Sequence, residues 1–178
     1  ASTGSDVLPY GTYEVRESAT NESMLLTWQG ETVQVRQNGH SVAITAVNEV
    51  ERGGLAVEKQ DSVTGSTPQG DANFEGITFQ IINSSRNPVM VEDQKYQPGE
   101  VCATIEVVDG IAQTDTRALP YGTYQMVESK PGEGYLHTDQ TVRSFQIRKD
   151  GQVVEYRDGD AAYNQVIRGD LQFVKVGE

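Results

Sequence analysis

The chain has 178 residues, 36% of them hydrophobic, and a formal charge of −12, which suits one sizeable core with room for a further piece. Nucleic acid and anionic membranes select for Lys and Arg, so the acidic excess argues against both as partners. The apolar runs are too short to span a bilayer as a helix, and Ala1 opens no signal peptide, so a processed chain or an excised piece is expected.

Eighteen glycines among many Thr, Val and Tyr residues fit short strands joined by tight turns, and no long window carries a helical period. The single cysteine, Cys102, rules out an internal disulfide and a cysteine metal cluster; its Val-Cys-Ala-Thr-Ile setting predicts a small buried hydrophobe.

In chain order, Leu8-Pro9-Tyr10-Gly11-Thr12-Tyr13-Glu14-Val15-Arg16-Glu17 reads as a turn feeding a strand. Proline fixes one dihedral, glycine supplies the turn, and β-formers follow. Residues two apart share a face, so Tyr13, Val15 and Glu17 point one way. Ala46-Val47-Asn48-Glu49-Val50 predicts a later strand with Ala46, Asn48 and Val50 aligned. Gly54-Leu55-Ala56-Val57-Glu58-Lys59 alternates and puts Lys59 on the same side as Leu55 and Val57.

Residues 60–70 are loop-like, and residues 74–83 predict a strand with Ile77, Phe79 and Ile81 inward. Further strands are expected at 88–91 and 101–108, the latter closed by Asp109-Gly110. Leu119-Pro120-Tyr121-Gly122-Thr123-Tyr124-Gln125-Met126-Val127-Glu128 then repeats the opening motif, with Tyr124, Met126 and Glu128 aligned. Residues 144–148 predict a strand ending at the turn Lys149-Asp150-Gly151, residues 152–156 return from it, and Ala162-Tyr163-Asn164-Gln165-Val166 matches residues 46–50.

The repeat has a register. Leu8 with Leu119, Glu17 with Glu128 and Thr27 with Thr138 are 111 apart, widening to 116 for Asn48 with Asn164, Arg52 with Arg168 and Lys59 with Lys175. Residues 1–52 therefore match the second half of a unit whose complete copy is 53–168, and 169–178 reads as the first strand of another copy. Short strands, regular turns and no helix predict an all-β, antiparallel Greek-key β-sandwich.

Lys59, Glu128 and Asn164 occupy positions where apolar side chains belong. An isolated buried charge is costly and tends to neutralise. A desolvated lysine becomes a neutral amine and a nucleophile, while a desolvated carboxylic acid keeps its proton. Together they allow Lys59 to attack the Asn164 side-chain carbonyl, polarised by Glu128, with loss of ammonia. The alternative is a buried ion pair with a hydrogen-bonded Asn and no bond.

Gly-x-x-Val-x-Lys-x-Asp, Leu-Pro-x-Gly-Thr-Tyr-x-x-x-Glu and the late Asn together resemble the CnaB/SpaA-type prealbumin-like repeats of Gram-positive surface adhesins and pilins. The resemblance implies extracellular, wall-attached stalk modules locked by spontaneous isopeptide bonds. It makes Lys59 the nucleophile, Asn164 the electrophile and Glu128 the acid, with Glu17 and Asn48 matching the last two in the partial copy and Lys175 matching the lysine. It implies no enzyme activity beyond self-cross-linking, and no cofactor or metal. Partners would be neighbouring repeats and an unidentified host matrix or glycan ligand. Residues 169–178 of one molecule are also expected to add to residues 1–52 of another, pairing Lys175 with Asn48. No sorting signal or pilin polymerisation motif is evident.

Other signals carry less. Arg168-Gly169-Asp170 is matched by Arg52-Gly53-Gly54 and reads as strand entry. The acidic run at 158–160 lacks calcium-loop spacing, and His40 and His137 fall at unmatched positions. The Asn21 and Asn83 glycosylation patterns mean little in a bacterial chain. Glu17 and Glu128 belong to different units, which argues against a carboxylate-pair glycosidase. A β-sandwich gripping matrix or glycan through its loops, without covalent closure, is the rival reading.

Overall fold

The computed structural model describes residues 2–177, and the chain divides into two compact units, 1–51 and 52–178. The first contains β1 (Gly11–Val15), β2 (Met24–Leu25), β3 (Glu31–Val35) and β4 (Glu49–Val50). β1 pairs antiparallel with β3, and β2 with β4.

The second contains β5 (Arg52–Asp61), β6 (Thr78–Asn83), β7 (Val89–Val91), β8 (Gln94–Tyr96), β9 (Val101–Val108) and β10 (Ile111–Gln113). It continues with β11 (Leu119–Pro120), β12 (Gly122–Lys130), β13 (Tyr135–Leu136), β14 (Arg143–Ile147), β15 (Val153–Tyr156) and β16 (Ala162–Val166), with a 3-10 turn at Asp158–Asp160. One ladder runs β13-β16-β5-β10-β9-β6-β12-β14, with β11 and β15 also on β5. It curls on itself to make a mostly antiparallel, Ig-like β-sandwich.

Strand β5 is the hub. It pairs antiparallel with β10 and β11 but parallel with β15 and β16. The expected antiparallel sandwich is what forms, and β15 and β16 add two parallel pairs to it: alternation has the same period in either sense, and the long connection from β5 to β15 permits a parallel return. Gly53 lets the chains approach, since a Cβ there would lie 2.4 Å from the Gln152 carbonyl and 2.9 Å from Ile147. Leu55, Val57, Phe79, Ile81, Tyr124, Met126 and Ile147 are fully buried between the layers. Truncating Phe79 to Ala in such a core costs about 3–5 kcal/mol.

Two strand boundaries also differ from expectation. β6 begins at Thr78, not residue 74, because Ile77 N–H donates to the Phe74 carbonyl around Gly76, which has φ +72°. In the first unit only Glu49–Val50 of residues 46–50 is strand. Its counterpart β16 extends over Ala162–Val166 because Ala162, Tyr163 and Asn164 pair with Lys59, Gln60 and Asp61 of β5. Residues 169–177 form no strand; Leu171 is 94% and Phe173 83% exposed. An alternating segment without a hydrogen-bonding neighbour has nothing to hold it extended.

The repeat register reappears in the ladders. Gly11↔Val35 through Val15↔Glu31 on β1–β3 corresponds to Gly122↔Ile147 through Met126↔Arg143 on β12–β14. Likewise Met24↔Val50 corresponds to Tyr135↔Val166. The Tyr13 hydroxyl donates to the Pro9 carbonyl and that of Tyr124 to the Pro120 carbonyl, each at 2.7 Å.

Candidate functional site

Three strands bring the polar trio together inside the second unit. On β5, period-2 alternation that buries Leu55 and Val57 must also bury Lys59. On β12, the alternation that buries Tyr124 and Met126 carries Glu128 inward. On β16, Asn164 lies across from Asp61, two residues along from Lys59 and therefore on its face. Lys59 and Asn164 are fully buried and Glu128 is 2% exposed.

Glu128 bridges the other two. Its Oε2 accepts from Lys59 Nζ at 2.8 Å, and its Oε1 accepts from Asn164 Nδ2 at 2.5 Å. The Asn164 carbonyl oxygen faces elsewhere: it accepts from the Asp139 main-chain N–H at 3.1 Å and the Thr138 hydroxyl at 3.5 Å. A main-chain N–H can only donate, which fixes Oδ1 on its side and Nδ2 on the Glu128 side. Glu128 therefore contacts the amide nitrogen, whereas the sequence led us to expect it on the carbonyl.

A second charged pair flanks the trio. Arg143 lies 3.0 Å from the Asp139 carboxylate and also donates to the Ala161 carbonyl. Burial works to raise the Asp139 carboxyl, but bonds from Arg143 and Thr141 hold it below the usual range. Burial is also the main influence on Lys59 and lowers its pKa, although the Glu128 hydrogen bond and the Glu128 and Asp139 charges oppose the shift. Removing a charge from water favours the neutral amine. His137, unmatched in the repeat, places Nε2 3.1 Å from the Glu128 carbonyl and 3.9 Å from Glu128 Oε1.

Asp61 closes the end of β5. Its Oδ1 accepts from the Val63 and Thr64 N–H groups and the Gln69 amide, and its Oδ2 from the Tyr135 hydroxyl at 3.0 Å. Burial opposes ionisation, yet these donors hold the carboxyl down at about 2. Tyr135 is pushed up to about 12, chiefly by burial and then by its bond to Asp61.

The first unit holds the same pair without the amine. Asn48 Nδ2 donates to Glu17 Oε2 at 2.7 Å, and Asn48 Oδ1 accepts from the Thr27 and Trp28 N–H groups, each at 3.1 Å. Residues 1–51 contain no lysine, and Lys175 is exposed. Among the described residues no group of three or more His, Cys, Asp or Glu could hold a metal ion. Cys102 is buried, with its Sγ 3.4 Å from the Ile81 carbonyl, and burial pushes its thiol up to about 11.

Residues 53–161 match the family model of the SpaA prealbumin-like fold domain. The chain belongs to that family. Lys59 and Glu128 lie within the matched span, and Asn164 falls just beyond it.

Among solved structures, the Bacillus anthracis TIE protein is similar at 22% identity and TM-score 0.66, over 90% of this chain and 26% of that one. The chain thus spans about a quarter of that protein, and the likeness is one of fold. A streptococcal ancillary pilin aligns at 24% identity and TM-score 0.40, over 90% of this chain and 43% of that one. The group B streptococcus pilus 2b backbone protein aligns at 20% and 0.44, over 78% and 44%. No curated protein matches the chain in sequence.

Proposed function

We propose that the second unit locks itself with a Lys59–Asn164 isopeptide bond and serves as a stalk or spacer module of a wall-attached Gram-positive adhesin or pilin. The supporting observation is that one buried carboxylate, Glu128, bridges the lysine nitrogen and the amide nitrogen that would leave. Lys59, neutral once its extra proton has gone to solvent, attacks Cγ of Asn164 and forms the C–N bond. Glu128 takes a proton from Nζ and passes it to Nδ2. The Cγ–Nδ2 bond then breaks, ammonia departs and Glu128 returns to its starting state.

The mechanical consequence follows from strand direction. β5 and β16 are parallel neighbours, so tension entering at Arg52 and leaving at Val166 loads their hydrogen bonds in shear. A covalent tie between them carries that load itself and constrains the unfolded chain as a disulfide does. Stretching single molecules from both ends tests this: residues 59–164 should contribute no extension. Release of their roughly 105 residues, about 350 Å at ~3.3–3.6 Å per residue, would overturn the reading.

Head-to-tail self-association belongs to the same proposal. The first unit holds Glu17 and Asn48 ready but has no lysine, and the exposed segment 169–177 carries Lys175 in the pattern of β5. Addition of that segment to another molecule's first unit would give chains. Monomer alone in size-exclusion chromatography at high concentration would overturn it.

A further inference from the structure

Resting on that closure, we infer that Thr138 and Asp139 form an oxyanion hole for the Asn164 carbonyl, dividing the chemistry between two groups: Glu128 moves protons between the nitrogens, and the 138–139 turn takes up the charge that develops on Oδ1.

The geometry separates the roles. Attack at Cγ turns Oδ1 into an oxyanion, which needs donors aimed at it. Glu128 is not among them, because both of its oxygens face nitrogen atoms. The Asp139 N–H at 3.1 Å and the Thr138 hydroxyl at 3.5 Å are. The hydroxyl is held in a donating orientation, because its oxygen accepts from the Gln165 N–H at 3.2 Å, leaving its proton to point at Oδ1. Such contacts tighten as charge develops in the transition state.

The first unit supplies an independent instance. Asn48 Oδ1 is held by two main-chain donors, Thr27 and Trp28, which stand in the repeat where Thr138 and Asp139 stand. The Thr27 hydroxyl oxygen accepts from the Glu49 N–H at 3.2 Å, as Thr138 does from Gln165. The amide oxygen is thus cradled by main-chain N–H in both units.

The test is the rate of closure in newly made protein. The full chain is synthesised in a cell-free system at set pH, quenched in denaturant at intervals and weighed intact. Thr138 is exposed at the residue level, so Thr138→Val should leave the fold standing. Closure is expected to slow about tenfold, less than the 10²–10³ typical of losing a full-strength oxyanion donor. Thr138→Ser should restore the rate, and the pH at half-maximal rate, set by Lys59, should stay in place. Closure of Thr138→Val at the wild-type rate overturns the inference. So does slowing that Ser fails to rescue, or that comes with a displaced pH midpoint, since either marks a loosened pocket. A wild-type chain that never loses ammonia overturns instead the closure on which this rests.

Discussion

Asn164 and Asn48 sit in the same hydrogen-bond frame, each giving Nδ2 to a glutamate and receiving main-chain N–H at Oδ1. In the second unit the same glutamate also accepts from Lys59 Nζ, which sets an amine beside the amide.

Glu128→Gln keeps the size of the side chain and loses its proton traffic. Mass spectrometry should find the variant without the Lys59–Asn164 link. Glu128→Ala should also fail to link and lose about 3–5 kcal/mol, because Lys59 is left buried without its partner. A linked Glu128→Ala variant would remove Glu128 from the chemistry.

The closure rate should rise with pH. Lys59 reacts as the neutral amine, and burial lowers its pKa from 10.5, so at any pH below that value more of it is neutral than for a lysine in water. The rate should climb through the lowered pKa and level off, with its half-rise below 10.5. A half-rise at the ordinary lysine value would mean that Lys59 reacts from a solvated state.

Asn164→Ala should cost the covalent tie and the bonds made by the amide. Opening a loop of roughly 100 residues removes about 4.7 kcal/mol of unfolded-state constraint, so chemical denaturation should show a loss of at least about 4 kcal/mol. The equivalent Asn48→Ala should leave the stability of the second unit unchanged.

Asp61 should make stability acid-sensitive. Its folded pKa of about 2 lies below the ordinary 3.8, so its contribution is complete above about 4 and fades as pH falls toward 2. Asp61→Asn should lose about 2 kcal/mol at neutral pH and show a flatter acid profile. Urea titrations of both proteins between about pH 2 and 6 make the comparison.

Much of this was legible because strands have period 2. The buried stripes Leu55-Val57-Lys59 and Tyr124-Met126-Glu128 follow from alternation alone, and repetition marked Lys59, Glu128 and Asn164 as polar residues on inward faces. Alternation does not encode pairing sense, so the parallel return of β15 and β16 onto β5 left no trace. Phe74 looked like strand because it is apolar and buried, yet Gly76 turns the chain after it.

The Asp139 contact was hidden for another reason. It is a main-chain N–H, and the repeat sets Trp28 against Asp139, so no side chain is shared to betray it. Thr138 did carry a signal, its match with Thr27, but a threonine in a turn reads as turn chemistry. His137 and Arg143 reach the site through the fold of the 137–143 segment, which no short motif describes.

The most direct test of self-closure is the intact mass of the purified chain, followed by peptide mapping. The predicted result is a deficit of one ammonia carried by a peptide joining Lys59 to Asn164. A well-folded chain of unmodified mass, with both residues recovered free, would contradict it and leave Lys59–Glu128 as a buried ion pair.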